Sequence, residues 1–189
     1  MAMATALSLE TSSKEYKQAR QSARRLAPRL RQHKVCRLET EALGDCQFIA
    51  IARTAGLNMK HGELRQQICN YLELLPDIFG DFWEGHFADF THYLAYMRSD
   101  GNWGDYLTLT AAANLLLRPI WVITDATNDA SAMIRINPVD LISSEEWDEP
   151  LLIVHYGERH YEATAPMLPP AVGGYPSQRA VKEEIKKET

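Results

Sequence analysis

The sequence predicts an α+β fold in which a small central sheet is packed between helices. Helical patterns occupy the first and middle parts of the 189 residues, whereas strand patterns cluster late in the chain. Helices and strands that are segregated in this way are typical of α+β domains, because strict alternation would instead favour a parallel α/β sheet. The length and the 46% hydrophobic content suit one globular domain with its own core.

The first quarter of the chain predicts a helix, a strand and a second helix in turn. Residues 1–13 are expected to be a flexible N-terminus. A helix is predicted over residues 14–27, and Pro28 should end or kink it because proline lacks a backbone N–H and clashes with the preceding turn. The stretch 34–40 alternates as a strand does, and residues 46–56 then form a helix that follows a short loop.

The rest of the chain predicts three further helices and then a group of strands. Apolar residues spaced three and four apart indicate the helices, and continuous or alternating apolar runs indicate the strands. Residues from 166 onwards, rich in proline, glycine, lysine and glutamate, are expected to be a disordered tail. The predicted helices are 63–75, 86–97 and 107–117, and the predicted strands are 120–124, 132–136, 151–156 and 160–164.

The cysteine pattern and the hydropathy pattern exclude several classes of protein. Three cysteines, Cys36, Cys46 and Cys69, favour a reducing compartment over a disulfide framework, and no cluster has the spacing of a zinc site. The longest apolar stretch is interrupted by Asn114, Arg118 and Pro119, so no membrane span is expected. The first ten residues lack the basic region of a secretory signal, while the Ser- and Arg-rich start leaves a mitochondrial presequence open.

A basic segment leads into the predicted domain. Residues 14–37 carry nine Lys or Arg and one Glu, although the net charge of the chain is −5. Such a segment either binds nucleic acid or an acidic surface, or forms the solvated face of a helix. Tyr16 is its only aromatic residue, so it lacks the stacking side chains of single-strand binders. The solvated face is the favoured interpretation.

Cys46 stands between a short loop and an apolar helix, in the stretch LGDCQFIAIA (43–52). The unpaired N–H groups at a helix N-terminus stabilise a thiolate, and they can also bind the oxyanion of a carbonyl under attack. Gly44 has no Cβ and would let the loop turn sharply. The pattern suits a cysteine acyl-transfer enzyme, and a buried, inert cysteine fits it equally well.

His160 is the candidate base, and Glu162 follows it two residues later. Side chains alternate along a strand, so these two are expected on one face while Tyr161 points toward the core. A carboxylate beside an imidazole fixes the tautomer and supports the imidazolium that forms during attack. Together with Cys46 they form a candidate Cys–His–acid set.

Three segments resemble, in order, the motifs of the ovarian tumour (OTU) family of cysteine proteases, most of which are deubiquitinases. GDCQFIAIA is similar to the family's Asp-Gly-x-Cys-x-Phe-x-Ala box, and GNWGDYLTLTAAANLLLRPIWVIT (101–124) to its Trp-Gly motif with the following helix and central strand. LLIVHYGERHYEAT is similar to its closing strands with the histidine. The resemblance covers about residues 34–165 and implies a papain-like OTU fold, with a catalytic domain over residues 14–165 and a tail over 166–189.

The same resemblance implies a thiol protease, a ubiquitinyl hydrolase that needs no cofactor or metal. Its nucleophile would be Cys46, its general base His160 and its orienting acid Glu162. The backbone of the loop before the helix would form the oxyanion hole, with contributions from Leu43, Gly44, Asp45 and Cys46.

Two positions depart from the family pattern. Where the family has Asp or Asn, this chain has Glu162, whose longer side chain must fold back to reach the imidazole. Where the family commonly has an aspartate, this chain has Leu43, which cannot supply a carboxylate. Asp45 is interpreted as a helix N-cap rather than a catalytic acid. Trp103 is interpreted as packing beneath the active-site loops and Gly104 as permitting a turn, so both would support the site structurally.

The substrate implied by the resemblance is an isopeptide or peptide bond after the C-terminal glycine of ubiquitin or a ubiquitin-like modifier. Residues 77–89 and 143–149 are acidic and contain the aromatics Trp83 and Trp147, which look exposed. These stretches suit contact with such a partner, and the alternative interpretation is that they are ordinary solvated loops. We expect a monomer that does not bind nucleic acid. It is expected in the cytoplasm, or in the cytosol of a host if the protein is a secreted effector. The alternative function is a catalytically impaired OTU-like protein that binds ubiquitin.

Overall fold

The chain folds as six helices and a five-stranded sheet within the residues that the computed structural model describes, namely 2–41, 43–83, 87–138, 149–157 and 160–168. Side chains are described from residue 14 onwards, except that of residue 15. The helices are α1 (Ala2–Gln32), α2 (Cys46–Thr54), α3 (His61–Leu74), α4 (Pro76–Phe79), α5 (Phe90–Arg98) and α6 (Tyr106–Leu116). The strands are β1 (Val35–Leu38), β2 (Ile120–Thr124), β3 (Met133–Ile136), β4 (Leu151–Tyr156) and β5 (His160–Pro166).

The sheet has the order β1-β5-β4-β2-β3, and among these described strands β2 and β4 are the parallel pair. β4 and β5 are antiparallel neighbours in register Tyr156 to His160, so the predicted closing pair of strands is confirmed. β1 pairs with the second half of β5 and ends at Leu38, which lies opposite Ala163. The first half of β5 therefore has an edge that β1 does not cover.

Helices cover both faces of the sheet. The larger core joins α2, α3, α5 and α6 to one face through residues such as Phe48, Ile68 and Ile153. A smaller core on the other face packs Leu26 and Leu30 of α1 against the sheet. The predicted α+β architecture, a small sheet between helices, is confirmed.

The long helix α1 departs from the sequence-based expectation at both ends. It begins at Ala2, within the segment expected to be flexible, and it continues past Pro28 to Gln32. Pro28 does not end the helix because the turns around it are fixed from outside: Leu30 is buried, and Arg29 donates hydrogen bonds of 2.6 Å to the Thr124 carbonyl and 3.0 Å to the Ala126 carbonyl. Part of the basic segment therefore docks the helix onto the end of β2.

Most of the other predicted elements are confirmed, with boundaries shifted by a few residues. Pro76 follows the end of α3, as expected, and it also begins the short helix α4, which the sequence did not predict. Among the described residues, no helix is both long enough and apolar enough to cross a membrane. The start of the tail expected from residue 166 is wrong, because Pro166 is the last residue of β5 and the Met167 N–H donates to the Lys34 carbonyl at 2.7 Å. The rest of that tail from residue 169 onwards, the acidic stretch 143–148 with Trp147, and residues 158–159 lie outside the described residues.

The acidic stretch 77–89 is only partly as expected. Trp83 packs against the larger core and meets Phe87 edge-on, with ring centroids 6.4 Å apart, so its expected exposure is wrong. The neighbouring Phe82 is exposed instead, beside exposed Asp77 and Asp81. Residues 84–86 lie outside the described residues.

Candidate active site

Cys46 is the first residue of α2 and lies against the uncovered edge of β5. Its Sγ accepts a hydrogen bond of 3.5 Å from the backbone N–H of Tyr161, the residue after His160. Only 5% of Cys46 is exposed, in a cavity of about 220 Å³ that Trp103, Gly104 and His155 also line. The thiol is therefore enclosed but reachable through this narrow cavity.

The surroundings of Cys46 favour the neutral thiol. Burial raises the pKa of the thiol above its ordinary value, and the nearby Asp45 charge adds to this rise. Backbone N–H groups of Tyr161, Gln47 and Cys46 itself lower the pKa, as a helix N-terminus is expected to do, but burial outweighs them. The expected activation by the helix is therefore insufficient by itself, and a base must remove the thiol proton.

His160 opens β5, beside the main-chain groups that contact Cys46. The Thr40 hydroxyl donates a short hydrogen bond to the Tyr161 carbonyl, so Thr40 and Cys46 bind the two main-chain polar groups of the same residue. The Thr40 oxygen lies 3.5 Å from His160 Nε2. Because the Thr40 proton is used on the carbonyl, its oxygen is left to accept a proton from Nε2. This contact favours the tautomer in which Nδ1 is the unprotonated nitrogen.

Glu162 shares a sheet face with His160, as the strand alternation predicts, whereas Tyr161 packs against the larger core. Glu162 Oε1 lies 3.9 Å from His160 Nε2, and this separation exceeds a hydrogen-bond distance. The carboxylate is instead bound by Tyr156, whose hydroxyl donates to Oε1 at 3.1 Å, and by Arg37, whose Nε lies 3.2 Å from Oε2. Glu162 is thus placed beside the imidazole without contacting it directly.

The loop that precedes Cys46 is held by packing rather than by turn strain. A Cβ on Gly44 would lie 1.6 Å from the Gly101 carbonyl oxygen, so the close approach of two loops requires glycine there. Leu43 is 62% exposed, and its carbonyl accepts the Cys46 N–H at 3.0 Å. In this structure the Cys46 N–H is therefore engaged in a turn. The oxyanion hole formed by residues 43–46 stays a prediction.

The interpretation of Asp45 as an N-cap is wrong. Asp45 occupies the N-cap position of α2, but its side chain makes no capping hydrogen bond. The carboxylate instead accepts hydrogen bonds from Arg65 Nη2 at 2.5 Å and from the Gly101 N–H at 3.1 Å. Arg65 is completely buried and also donates to the carbonyls of Met97 and Asn102. Asp45 therefore ties the nucleophile loop to the loop that precedes the Trp-Gly pair.

Trp103 and Gly104 line the cavity that contains Cys46. Trp103 is 50% exposed, so the expectation that it packs beneath the loops is wrong. Gly104 does serve packing, because a Cβ there would lie 2.1 Å from Gln47 Oε1. Gln47 is buried beside Cys46, and its amide nitrogen donates to the Asp105 carbonyl at 3.1 Å while Thr108 donates to its Oε1 at 2.8 Å.

Sequence reasoning missed four residues that shape the site: Thr40, Gln47, Arg65 and Tyr156. Gln47 had a weak signal, because it is a polar residue that borders the apolar run of its helix, whereas Arg65, between Leu64 and Gln66, had no such signal. Thr40 and Tyr156 had none, since their roles arise only when β1, β4 and β5 are brought side by side.

Comparisons with known proteins agree with this fold. The family model described as OTU-like cysteine protease matches residues 41–163, which include Cys46 and His160. An Arabidopsis thaliana protein, OVARIAN TUMOR DOMAIN-containing deubiquitinating enzyme 10, is 32% identical over 74% of this chain. The chain spans only 37% of the length of that relative.

Solved structures show the same fold. The OTUD1 OTU domain superposes with a TM-score of 0.68 at 22% identity, covering 80% of this chain and 99% of that one. An ovarian tumor (OTU) domain solved in complex with ubiquitin has a TM-score of 0.54 at 18% identity and covers 69% of each chain. The papain-like OTU fold expected from the sequence is thus confirmed, and the chain belongs to the OTU-like cysteine protease family.

Proposed function

We propose that this chain is a deubiquitinase, a thiol protease that hydrolyses isopeptide or peptide bonds after the C-terminal glycine of ubiquitin or a ubiquitin-like modifier. The observation that supports the proposal is that Cys46 and Thr40 both bind main-chain groups of Tyr161. Tyr161 follows His160 in β5, and the Thr40 oxygen lies 3.5 Å from His160 Nε2. Family membership and the ubiquitin complex of a similar OTU domain support the substrate class.

The proposed reaction has two steps. In the first, His160 Nδ1 takes the Cys46 proton as Sγ attacks the carbonyl carbon of the terminal glycine, and the imidazolium then protonates the leaving lysine amine. The C–N bond breaks and a thioester is left on Cys46. In the second, His160 deprotonates a water that attacks the thioester, so the C–S bond breaks and the modifier leaves as a carboxylate while the thiol is regenerated.

The shape of the cavity suits the proposed substrate. Its volume of about 220 Å³ is small, and Gly44 and Gly104 line it without side chains, so an extended Gly-Gly tail can approach the thiol. Trp103 offers an exposed ring at the same place. Exposed Asp77, Asp81 and Phe82 provide charge and apolar area of the kind that a protein partner with basic residues would contact.

The function is tested by incubating the full chain with a panel of diubiquitins and ubiquitin-like precursors. We expect cleavage of at least one substrate by wild type and none by Cys46→Ala. His160→Asn should reduce the rate much more than His155→Asn, because the proposal gives the role of base to His160, although it is His155 that lines the cavity with Cys46. Measurable binding of ubiquitin without cleavage of any substrate would contradict the proposal and support an impaired ubiquitin-binding protein.

Glu162→Gln should lower kcat about tenfold with little change in KM. The neutral amide keeps the shape of the side chain but cannot stabilise the imidazolium, which exists only after the thiol proton has moved. Steady-state cleavage of a fluorogenic ubiquitin substrate measures both constants. An unchanged kcat would show that another group orients His160.

Thr40→Val should lower kcat about threefold to tenfold, the range expected when one hydrogen bond is lost. Valine has nearly the same shape but cannot accept from His160 Nε2 or donate to the Tyr161 carbonyl. Thr54→Val is the matched control, since Thr54 also bonds β5, at the Thr164 N–H, but lies at the far end of α2. Equal losses in kcat from both substitutions would mean that Thr40 acts only through the stability of the fold.

A further inference from the structure

The Glu162 side chain has one methylene more than Asp or Asn, the residues of the OTU motif that this segment resembles. The orientation of its carboxylate therefore depends on neighbouring residues. A carboxylate on a longer stem has more rotamers, so its orientation must be fixed by neighbours if it is to act on an imidazole. Glu162 is 4% exposed, and its carboxylate lies 3.9 Å from His160 Nε2. What fixes this carboxylate decides where its charge lies relative to the base.

Arg37 and Tyr156 surround the Glu162 carboxylate on one face of the sheet. They belong to the two strands that flank β5, and each contacts a different oxygen: Arg37 Nε lies 3.2 Å from Oε2, and the Tyr156 hydroxyl donates to Oε1 at 3.1 Å. The two residues also contact each other, since the Arg37 guanidinium lies 5.1 Å above the Tyr156 ring. One oxygen of the carboxylate is therefore held by a hydrogen bond, and the other faces Arg37 as an ion pair without hydrogen-bond geometry.

Tyr156 contacts the base as well as the carboxylate. Its ring meets the His160 ring edge-on, with centroids 5.3 Å apart and an interplanar angle of 89°, because the two residues are directly opposite in register. Burial, together with the charge and hydrogen bond of Glu162, raises the pKa of the Tyr156 hydroxyl above its ordinary value. The hydroxyl thus stays a hydrogen-bond donor at neutral and mildly alkaline pH.

We propose that Arg37 and Tyr156 are positioning residues that fix Glu162 beside His160, an inference that rests on the proposed function. Arg37 holds Oε2, which leaves Oε1 on the side of Tyr156 and the imidazole. Tyr156 then fixes Oε1 and the plane of the His160 ring together. These two residues give the glutamate its fixed orientation.

The test measures kcat and KM for Tyr156→Phe and Arg37→Met. Each substitution should lower kcat about threefold to tenfold and change KM less than twofold, while Arg37→Lys should recover part of the loss. Tyr71→Phe, at a partly buried hydroxyl in the larger core, and Arg135→Met, at an arginine that lies 5.3 Å above the Trp121 ring on the opposite edge strand, are matched controls that should keep wild-type kcat.

A double-mutant cycle separates positioning from general destabilisation. If Tyr156 and Arg37 act through Glu162, their substitutions should have little further effect on kcat in the Glu162→Gln background. Additive losses in that background, unchanged kcat in the single variants, or a rise in kcat for Arg37→Met would each overturn the inference. The rise would mean that Arg37 draws Glu162 away from the base.

A readout without ubiquitin keeps the inference distinct from the proposed function. The alkylation rate of Cys46 by iodoacetamide at neutral pH, measured by peptide mass spectrometry, depends on His160 as base. Tyr156→Phe and Arg37→Met should slow it several-fold, while alkylation of half-buried Cys36 in the same sample should not change. If wild type cleaves no ubiquitin substrate, the proposed function fails, and an unchanged Cys46 alkylation rate in both variants would overturn this inference as well.

Discussion

A ubiquitin probe with a C-terminal electrophile should label the wild-type chain at Cys46, and Cys46→Ala should remove all labelling. The electrophile replaces the scissile carbonyl, so the sulfur that attacks it is the one that would form the thioester. Loss of the nucleophile typically lowers kcat of a covalent hydrolase by about 10⁶-fold, below the limit of detection. This is the largest effect on activity that the site predicts, and intact mass spectrometry of the probe adduct measures it.

The other two cysteines are matched controls for that experiment. Cys69 is completely buried in α3, and burial raises the pKa of its thiol to about 11. Cys36 is half-buried in β1, where its thiol donates to the Ala165 carbonyl at 3.6 Å. Cys36→Ala and Cys69→Ala should both keep labelling. Labelling that survives Cys46→Ala, or that disappears with Cys36→Ala, would remove Cys46 from its assigned role.

The elements of the fold could be predicted because their signals are local. The apolar run 120–124 is β2 without any shift of its boundaries, and the alternation after residue 160 placed His160 and Glu162 on one face. Pro28 shows the limit of such reasoning. Its effect on the helix depends on Leu30 and Arg29 contacting the sheet, and no local pattern records those contacts.

The site could be predicted only in part, for the same reason. Cys46 and His160 carry recognisable chemistry, so the sequence singled out both, and Cys46 contacts the N–H of Tyr161, the residue that follows His160. The partners of Asp45 could not, because Arg65 is twenty residues away and its helical neighbours gave no sign that it is buried. The need for glycine at position 44 was expected, but its cause, the Gly101 carbonyl, belongs to a distant loop.

The departures from the family pattern concern orientation and leave the nucleophile in place. The Leu43 side chain is exposed. The loop is tied instead by the ion pair between Asp45 and buried Arg65. Glu162 is held by Arg37 and Tyr156 rather than by direct contact with His160. In both places polar contacts hold the carboxylate, and the contact at Arg65 is the one with a fully buried arginine.

Arg65→Met should lower the free energy of unfolding by about 3–5 kcal/mol, the cost typical of removing one partner of a buried ion pair. Arg65 is fully buried, and methionine fills similar volume without any donor. The Asp45 carboxylate would lose its 2.5 Å partner and keep the Gly101 N–H, while the carbonyls of Met97 and Asn102 would lose theirs. Urea unfolding at neutral pH, followed by circular dichroism, measures the change.

Arg98→Met is the control for a salt bridge of similar length in a different environment. Arg98 pairs with Glu73 at 2.7 Å on the surface of α3 and α5, and the Glu73 side chain is 62% exposed. A pair of this kind contributes about 1 kcal/mol or less, because water solvates both groups when the pair is broken. The two variants therefore separate the effect of burial from the effect of losing an arginine.

The pairing itself is tested by adding Asp45→Asn. In the wild-type background this change weakens the bond to Arg65, whereas in Arg65→Met it removes a carboxylate that is already buried without its cation. Asp45→Asn should therefore cost stability in the first background and cost less, or restore stability, in the second. Equal effects in both backgrounds, or an Arg65→Met loss no larger than that of Arg98→Met, would show that the pair does not hold the nucleophile loop.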